Sequence, residues 1–212
     1  MADHPRGTSK TDLRRALDSY QARRGEFRVL DVPELRYLMV DGHGDPNTAP
    51  AFTAAVETLY PVAYAIKFAS KNHLGHDYVV PPLEGLWWAS DMDAFTSARD
   101  KSRWDWTLLL LVPGWVPTDL VERTVDHVRV TKHPARIDEL RIGSLYEGTC
   151  VQTLHVGSFD DEGPVLERLH HEILPARGLR PAGTHHEIYL SDMRRTAPDR
   201  QRTILRQPVT PT

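Results

Sequence analysis

A single cysteine, Cys150, rules out an internal disulfide framework for this chain of 212 residues. Neither sign of charge is in large excess: 26 Lys and Arg against 29 Asp and Glu leave a formal net charge of −3. There is thus no general electrostatic case for binding nucleic acid. No apolar run approaches the ~20 residues of a membrane-spanning helix. The longest, residues 108–113, reads as a buried strand. The N-terminus lacks the apolar core of a signal peptide, which predicts a cytoplasmic protein. No glycine-rich loop has the spacing of a phosphate cradle. The histidine pairs His170-His171 and His185-His186 are adjacent, not three or four apart on a helix, so no zinc spacing is formed. These absences predict no cofactor, no metal and no membrane or nucleic-acid partner.

What is there is aromatic and acidic. Pro81-Pro82-Leu83-Glu84-Gly85-Leu86-Trp87-Trp88 reads as a strand carrying a carboxylate and two indoles. Strand side chains alternate, so Glu84, Leu86 and Trp88 share one face and Trp87 takes the other. A carboxylate beside an indole lines a pocket for a flat organic ligand; a core tryptophan beside a solvated glutamate is the alternative.

Residues 11–24 have the spacing of a short amphipathic helix through Leu13, Leu17 and Tyr20. Strands are predicted over 27–32, 35–41, 78–89, 104–112, 137–145, 149–156, 185–190 and 203–206. Helices are predicted over 51–71, bent or split at Pro61, over 117–132 and over 161–174. Asn47 or Thr48 is the expected N-cap of the first of these, and residues 91–103 form a polar connection. The length fits one large domain or two intimately packed small ones.

An internal repeat organises this order. One strand ends at Gly42-x-x-Asp45 and another at Gly157-x-x-Asp160, each followed by a helix. An aromatic strand closing in Ser-Asp then follows, at Trp87-Trp88-Ala89-Ser90-Asp91 and at Ile188-Tyr189-Leu190-Ser191-Asp192, and a further strand ends each half. The fold class is therefore α+β: two pseudo-symmetric strand-helix-strand-strand modules, an antiparallel sheet, and a ligand cleft between the halves. The modules span about 27–112 and 117–209, within a domain of residues 25–212 preceded by a polar segment, 1–24. Aligning the halves on Ser-Asp sets Trp88 against Tyr189, Leu86 against Glu187 and Glu84 against His185, all on equivalent faces.

These stretches, with Asp41-Gly42-x-Gly44-Asp45-Pro46-Asn47, Trp104-Asp105-Trp106-Thr107 and Thr203-Ile204-Leu205-Arg206-Gln207-Pro208-Val209, resemble the GyrI-like small-molecule-binding superfamily. Glu147-Gly148-x-Cys150-Val151-Gln152-x-Leu154-His155-x-Gly157 also fits. The resemblance covers roughly residues 27–209 and implies two strand-helix-strand-strand modules. The Glu-Gly-Leu-Trp-Trp and His-His-Glu-Ile-Tyr motifs resemble the stand-alone branch, some of whose members are cyclopropanoid cyclopropyl hydrolases. These open the strained ring of spirocyclopropyl-dienone DNA alkylators of the yatakemycin and duocarmycin type. Met193 stands where relatives often have proline.

That chemistry needs a base for water, a donor for the charge gathering on the dienone oxygen, and flat walls. Glu187 is the candidate base, with a structural glutamate at a strand edge as the alternative. Tyr146 is the candidate donor, with Tyr189 competing for the role. Trp88 is the candidate stacking wall and Trp104 either wall or core, while Trp87 and Trp106 read as core. Glu84 is a second acidic contact in the cleft or a hydrogen-bond partner for the backbone or for Arg103, and His185 and His43 are possible proton donors. Cys150 reads as a small buried hydrophobe. The expected partner is a flat polycyclic aromatic small molecule, and the expected assembly a monomer or homodimer. Rival readings are a non-catalytic drug-sequestering module, in which aromatic walls and carboxylates hold a flat cation, and a gyrase-modulating interaction protein.

Overall fold

The computed structural model describes residues 10–89 and 100–212. Its strands are β1 Arg28–Val32, β2 Leu35–His43, β3 Glu84–Trp88, β4 Asp105–Leu111, β5 Arg141–Leu145, β6 Gly148–Val156, β7 Leu179–Pro181, β8 His185–Tyr189 and β9 Arg202–Pro211. They form one strongly curled antiparallel sheet in the order β1-β6-β9-β8-β3-β4-β2-β5, with β7 beside β9. The helices are α1 Leu13–Ala16, α2 Pro50–Ala69, α3 Thr118–Lys132, α4 Gly163–Arg168 and α5 Leu174–Ala176, the last two joined by a π-helical turn at Leu169–Ile173.

The order is symmetric about the central β3–β8 pair. One module is β2, α2, β3, β4; the other is β6, α4–α5, β8, β9. The flanking strands are exchanged. β1 precedes the first module but pairs with β6 of the second, and β5 precedes the second but pairs with β2 of the first. Each exchange ties one half to the other through backbone hydrogen bonds. The α+β antiparallel architecture is the one the sequence pattern predicts.

The sheet has two covered faces. On the helical face, α2 buries Phe52, Ala55, Leu59, Val62, Ala63 and Ile66 against Leu38, Val40, Leu108 and Leu110. In the second module Leu169 and Leu174 pack on Val151 of β6 on that same face. On the opposite, strap face, Leu13 and Tyr20 lie over Tyr37, Met39, Leu109, Ile188 and Ile204. The ring of Trp106 lies directly on Gly42, where a Cβ would fall 2.0 Å from it; only glycine permits this contact.

Several boundaries differ from expectation for definable reasons. Residues 11–24 are not one helix: α1 and a 3-10 turn at Asp18–Tyr20 form a strap along the sheet. The carbonyls of Ser19 and Gln21 accept from Arg206 and Gln152 of the sheet, which takes the place of helix propagation. α2 runs through Pro61 without splitting. Asp45, rather than Asn47 or Thr48, organises the turn before it, accepting from the Asn47 amide at 2.9 Å, and Pro50 opens the helix. β3 starts only at Glu84 because Pro81 and Pro82 have no N–H for a ladder. β9 is ten residues long, lengthened by pairing with β6, β7 and β8. The Ser90-Asp91 end of the repeat motif lies outside the described residues. Among the described residues, no helix is long and apolar enough to cross a membrane.

Candidate functional site

β8 lies at the centre of the sheet, so both faces of His185-His186-Glu187-Ile188-Tyr189 are covered. Alternation sends His185, Glu187 and Tyr189 to the helical face and His186 and Ile188 to the strap face. The β3 register, Gly85 opposite Glu187 and Trp87 opposite His185, puts Trp87 beside them on the helical face.

The Tyr189 hydroxyl donates to Glu187 Oε2 at 2.8 Å and accepts from Trp87 Nε1 at 2.9 Å. His185 Nε2 lies 3.6 Å from the other carboxylate oxygen, Oε1. The Glu187 side chain retains 12% of its exposure. Phe159 meets Tyr189 edge-on with centroids 5.5 Å apart, Phe52 stacks on Trp87 at 6.2 Å, and Trp104 meets Trp87 edge-on at 5.8 Å. Burial, then the Glu187 charge, pushes the Tyr189 phenol well above its ordinary value. It therefore stays protonated and acts as a neutral donor. Gly85 makes room: a Cβ there would sit 2.7 Å from Trp87 Nε1 and 2.9 Å from Tyr189 Oη. A groove of about 470 Å3 opens beside Tyr189, walled by Tyr60, Tyr64, Pro81, Pro82 and Leu190. The arrangement offers a carboxylate with one oxygen held by a phenol, inside an aromatic frame.

The structure separates the sequence candidates. Glu187, Tyr189 and His185 come together, and Trp104 joins their frame through Trp87. Tyr146 does not: it sits in the turn between β5 and β6 with 72% of its surface exposed. The phenol that reaches Glu187 is that of Tyr189. Trp88 and Glu84 lie on the strap face, because β3 pairs Glu84 with Ile188. Trp88 is 39% exposed there, whereas Trp87, read as core, carries the hydrogen bond into the site. The alignment placing Glu84 and His185 on equivalent faces is thus one residue out of phase.

Glu84 belongs instead to a closed polar network that the sequence reading missed. It accepts from the Tyr20 hydroxyl, and His186 Nε2 lies 2.9 Å from its Oε2. His186 Nδ1 is 3.0 Å from Glu147 Oε1, and Arg206 donates to Glu147 Oε2 at 2.6 Å and to Gln152 Oε1 at 3.0 Å. Glu84, His186, Gln152 and Arg206 have no exposed surface. Burial works against the His186 charge, but the facing Glu147 charge and the bonds to Glu147 and Glu84 raise its value to about 9. Burial likewise works against the Glu147 carboxylate, yet the His186 and Arg206 charges hold it at about 2. Buried charges survive only when paired in this way. The available signal was an arginine inside an otherwise apolar strand, at Leu205-Arg206-Gln207. Cys150 is buried; burial first, then the Glu147 charge, pushes its thiol up to about 12, so it stays protonated at neutral pH. His43 pairs with Asp105 at 2.8 Å in exposed surroundings.

Residues 117–209 match the GyrI-like small molecule binding domain. No curated protein matches the sequence. Among solved structures, the fold is similar to an uncharacterized conserved protein from Listeria innocua at 35% identity, with a TM-score of 0.85 over 95% of this chain and 100% of that one. It is also similar to a hydrolase from Listeria innocua at 33% identity, with a TM-score of 0.80 over 95% of this chain and 100% of that one. The C-terminal domain of EcmrR, at 10% identity and a TM-score of 0.54, shares the fold alone, over 88% of this chain and 98% of that one. With its symmetric modules and its carboxylate framed by aromatic rings, the chain belongs to the GyrI-like small-molecule-binding family.

Proposed function

We propose that the chain is a cofactor-independent hydrolase that opens the cyclopropane of spirocyclopropyl-dienone genotoxins with water, protecting the cytoplasm from DNA alkylation. The observation that carries this reading is the hydrogen-bonded Glu187–Tyr189 pair inside a frame of Trp87, Trp104, Phe52 and Phe159. The hydrolase from Listeria innocua, similar along its whole length, favours catalysis over binding alone.

In this scheme the flat ligand enters the groove beside Tyr189, where offset stacking on Tyr60 or Tyr64 adds about 0.5–1.5 kcal/mol beyond burial. Glu187 takes a proton from water as the water oxygen bonds to the cyclopropane carbon. The strained C–C bond breaks and its electron pair passes through the dienone to the carbonyl oxygen, giving a phenolate. His185, 3.6 Å from Glu187 on the same face, is placed to donate toward that oxygen. The proton held by Glu187 returns to the product, and the balance is substrate plus one water.

The test is incubation of the purified chain with a yatakemycin- or duocarmycin-type compound, followed by liquid chromatography and mass spectrometry. A product heavier by one water should form catalytically, and should fall by about 10²–10⁴ in Glu187→Gln, the range of a general base. Tyr146→Phe serves as the exposed control and should match the wild type. Tight binding without turnover would replace this reading with sequestration, and neither binding nor turnover would remove this ligand class.

A further inference from the structure

The hydrolase reading leaves Trp87 as part of a wall, but its geometry does more than fill space. We infer that Trp87 is a positioning residue: its indole N–H commits the Tyr189 hydroxyl proton to one oxygen of Glu187 and leaves the other oxygen to act on water. This rests on the proposed function and assigns a task within that same site.

Donors and acceptors at this point can be counted. An indole N–H can only donate. At 2.9 Å from Tyr189 Oη it occupies a lone pair of that oxygen. The phenol has one proton, and Glu187 Oε2 stands 2.8 Å away to receive it. The chain Trp87 to Tyr189 to Glu187 therefore has one direction. Without the indole donor, the hydroxyl is free to turn its proton elsewhere and accept from water. Glu187 Oε1, on the side facing His185, is then the oxygen left for the attacking water.

Burial of the Trp87 ring does not by itself explain this bond. The ring is 4% exposed, stacked on Phe52 and met edge-on by Trp104. Trp106 is buried still more fully, yet it sends its N–H to a backbone carbonyl, that of Gly44, at 3.2 Å. Trp87 instead points across the central strand pair to a side chain of the other module. The bare Cα of Gly85 keeps that path open.

The experiment measures kcat and KM for the wild type, Trp87→Phe, Tyr189→Phe and the double variant. Trp87→Phe keeps an aromatic ring and deletes the donor. It should lower kcat about tenfold, the rate equivalent of roughly one hydrogen bond, with KM within about twofold. In the Tyr189→Phe background the same change should have no further effect on kcat, since its target is gone. A loss in KM alone, or the same factor in both backgrounds, would mean that Trp87 only packs. A second measurement does not depend on turnover: the 15N–1H indole resonance of Trp87 in the full chain should move in Tyr189→Phe. An unmoved resonance would overturn the inference even if the wild type is active. If the wild type opens no such compound, the hydrolase reading falls, and the indole resonance alone decides whether Trp87 orients the Tyr189 hydroxyl.

Discussion

Replacing Glu147 by Gln should remove an alkaline limb from the stability of this protein. In the wild type His186 titrates at about 9, against an ordinary value of 6.5. The folded value is the higher one, so the protonated imidazole stabilises the fold. That contribution is complete below about 6.5 and is lost as the pH rises through about 9. The gap corresponds to about 3 kcal/mol, at ~1.4 kcal/mol for each tenfold change in proton affinity. The charges facing His186 are Glu147, Glu84 and Arg206, and Glu147 is the chief cause of the rise. His170 works in a separate window. Burial first, then His185, lowers its value to about 4, so its contribution is present above about 6.5 and lost as the pH falls toward 4. Urea unfolding followed by tryptophan fluorescence at a series of pH values from 6 to 9.5 reads the alkaline limb. Glu147→Gln should be less stable at pH 6 by about 3–5 kcal/mol, since it leaves buried cations underpaired. Its stability should also change little between pH 6.5 and 9. A wild type with flat stability over that range, or a variant that keeps the full slope, would refute the assignment of His186 as a buried imidazolium.

Tyr20→Phe should cost about 1–3 kcal/mol, the penalty for leaving a buried carboxylate oxygen of Glu84 without its donor. It should also speed hydrogen exchange in the strap over residues 13–21 more than in β4; equal protection in the variant would show that the strap is held by its apolar contacts. Gly42→Ala should destabilise by about 3 kcal/mol or more, at the upper end for overpacking, because its Cβ would overlap the Trp106 ring. Gly114→Ala, with nothing within 4 Å of its Cβ, is the neutral control in the same thermal melts, and equal melting temperatures for the two variants would contradict the packing argument.

The fold was legible where hydrophobic spacing and repetition speak directly. Phe52, Val56, Leu59 and Ala63 announce α2, and the order strand, helix, strand, strand is visible in both halves. Boundaries were less legible where tertiary partners decide them. β9 grows from four expected residues to ten because three strands pair with it, and the strap gives up helical bonds for side-chain donors from the sheet. In the candidate site, Glu187, Tyr189 and His185 were readable from one strand, since alternation alone joins them. Tyr146 was misjudged because adjacency to Glu147 in sequence says nothing about face; Glu147 turns inward to His186 and Arg206 while Tyr146 stays in solvent.

The equivalence of the two halves differs by one residue from the Ser-Asp alignment. Setting Trp88 against Tyr189 is an offset of 101 residues, which by the observed register joins a strap-face residue to a helical-face one. The helices of both modules lie on one face of the sheet. A two-fold relation between the modules must therefore preserve faces, which the offset of 101 does not do. An offset of 102 sets Trp87 against Tyr189, Glu84 against His186 and Gly85 against Glu187, each pair on one face by the observed register. The first two pairs are also in contact, Trp87 Nε1 with Tyr189 Oη and Glu84 with His186. The third is the informative one. Where one module supplies the Glu187 carboxylate, the other supplies a glycine at the equivalent point, and that glycine leaves the space in which Trp87 and Tyr189 meet. A carboxylate at both positions would set two like charges opposite each other in a buried frame, raising the cost of ionising either. The asymmetry therefore lets a symmetric fold present one carboxylate, whose donor Tyr189 comes from its own module and is in turn held by Trp87 of the other.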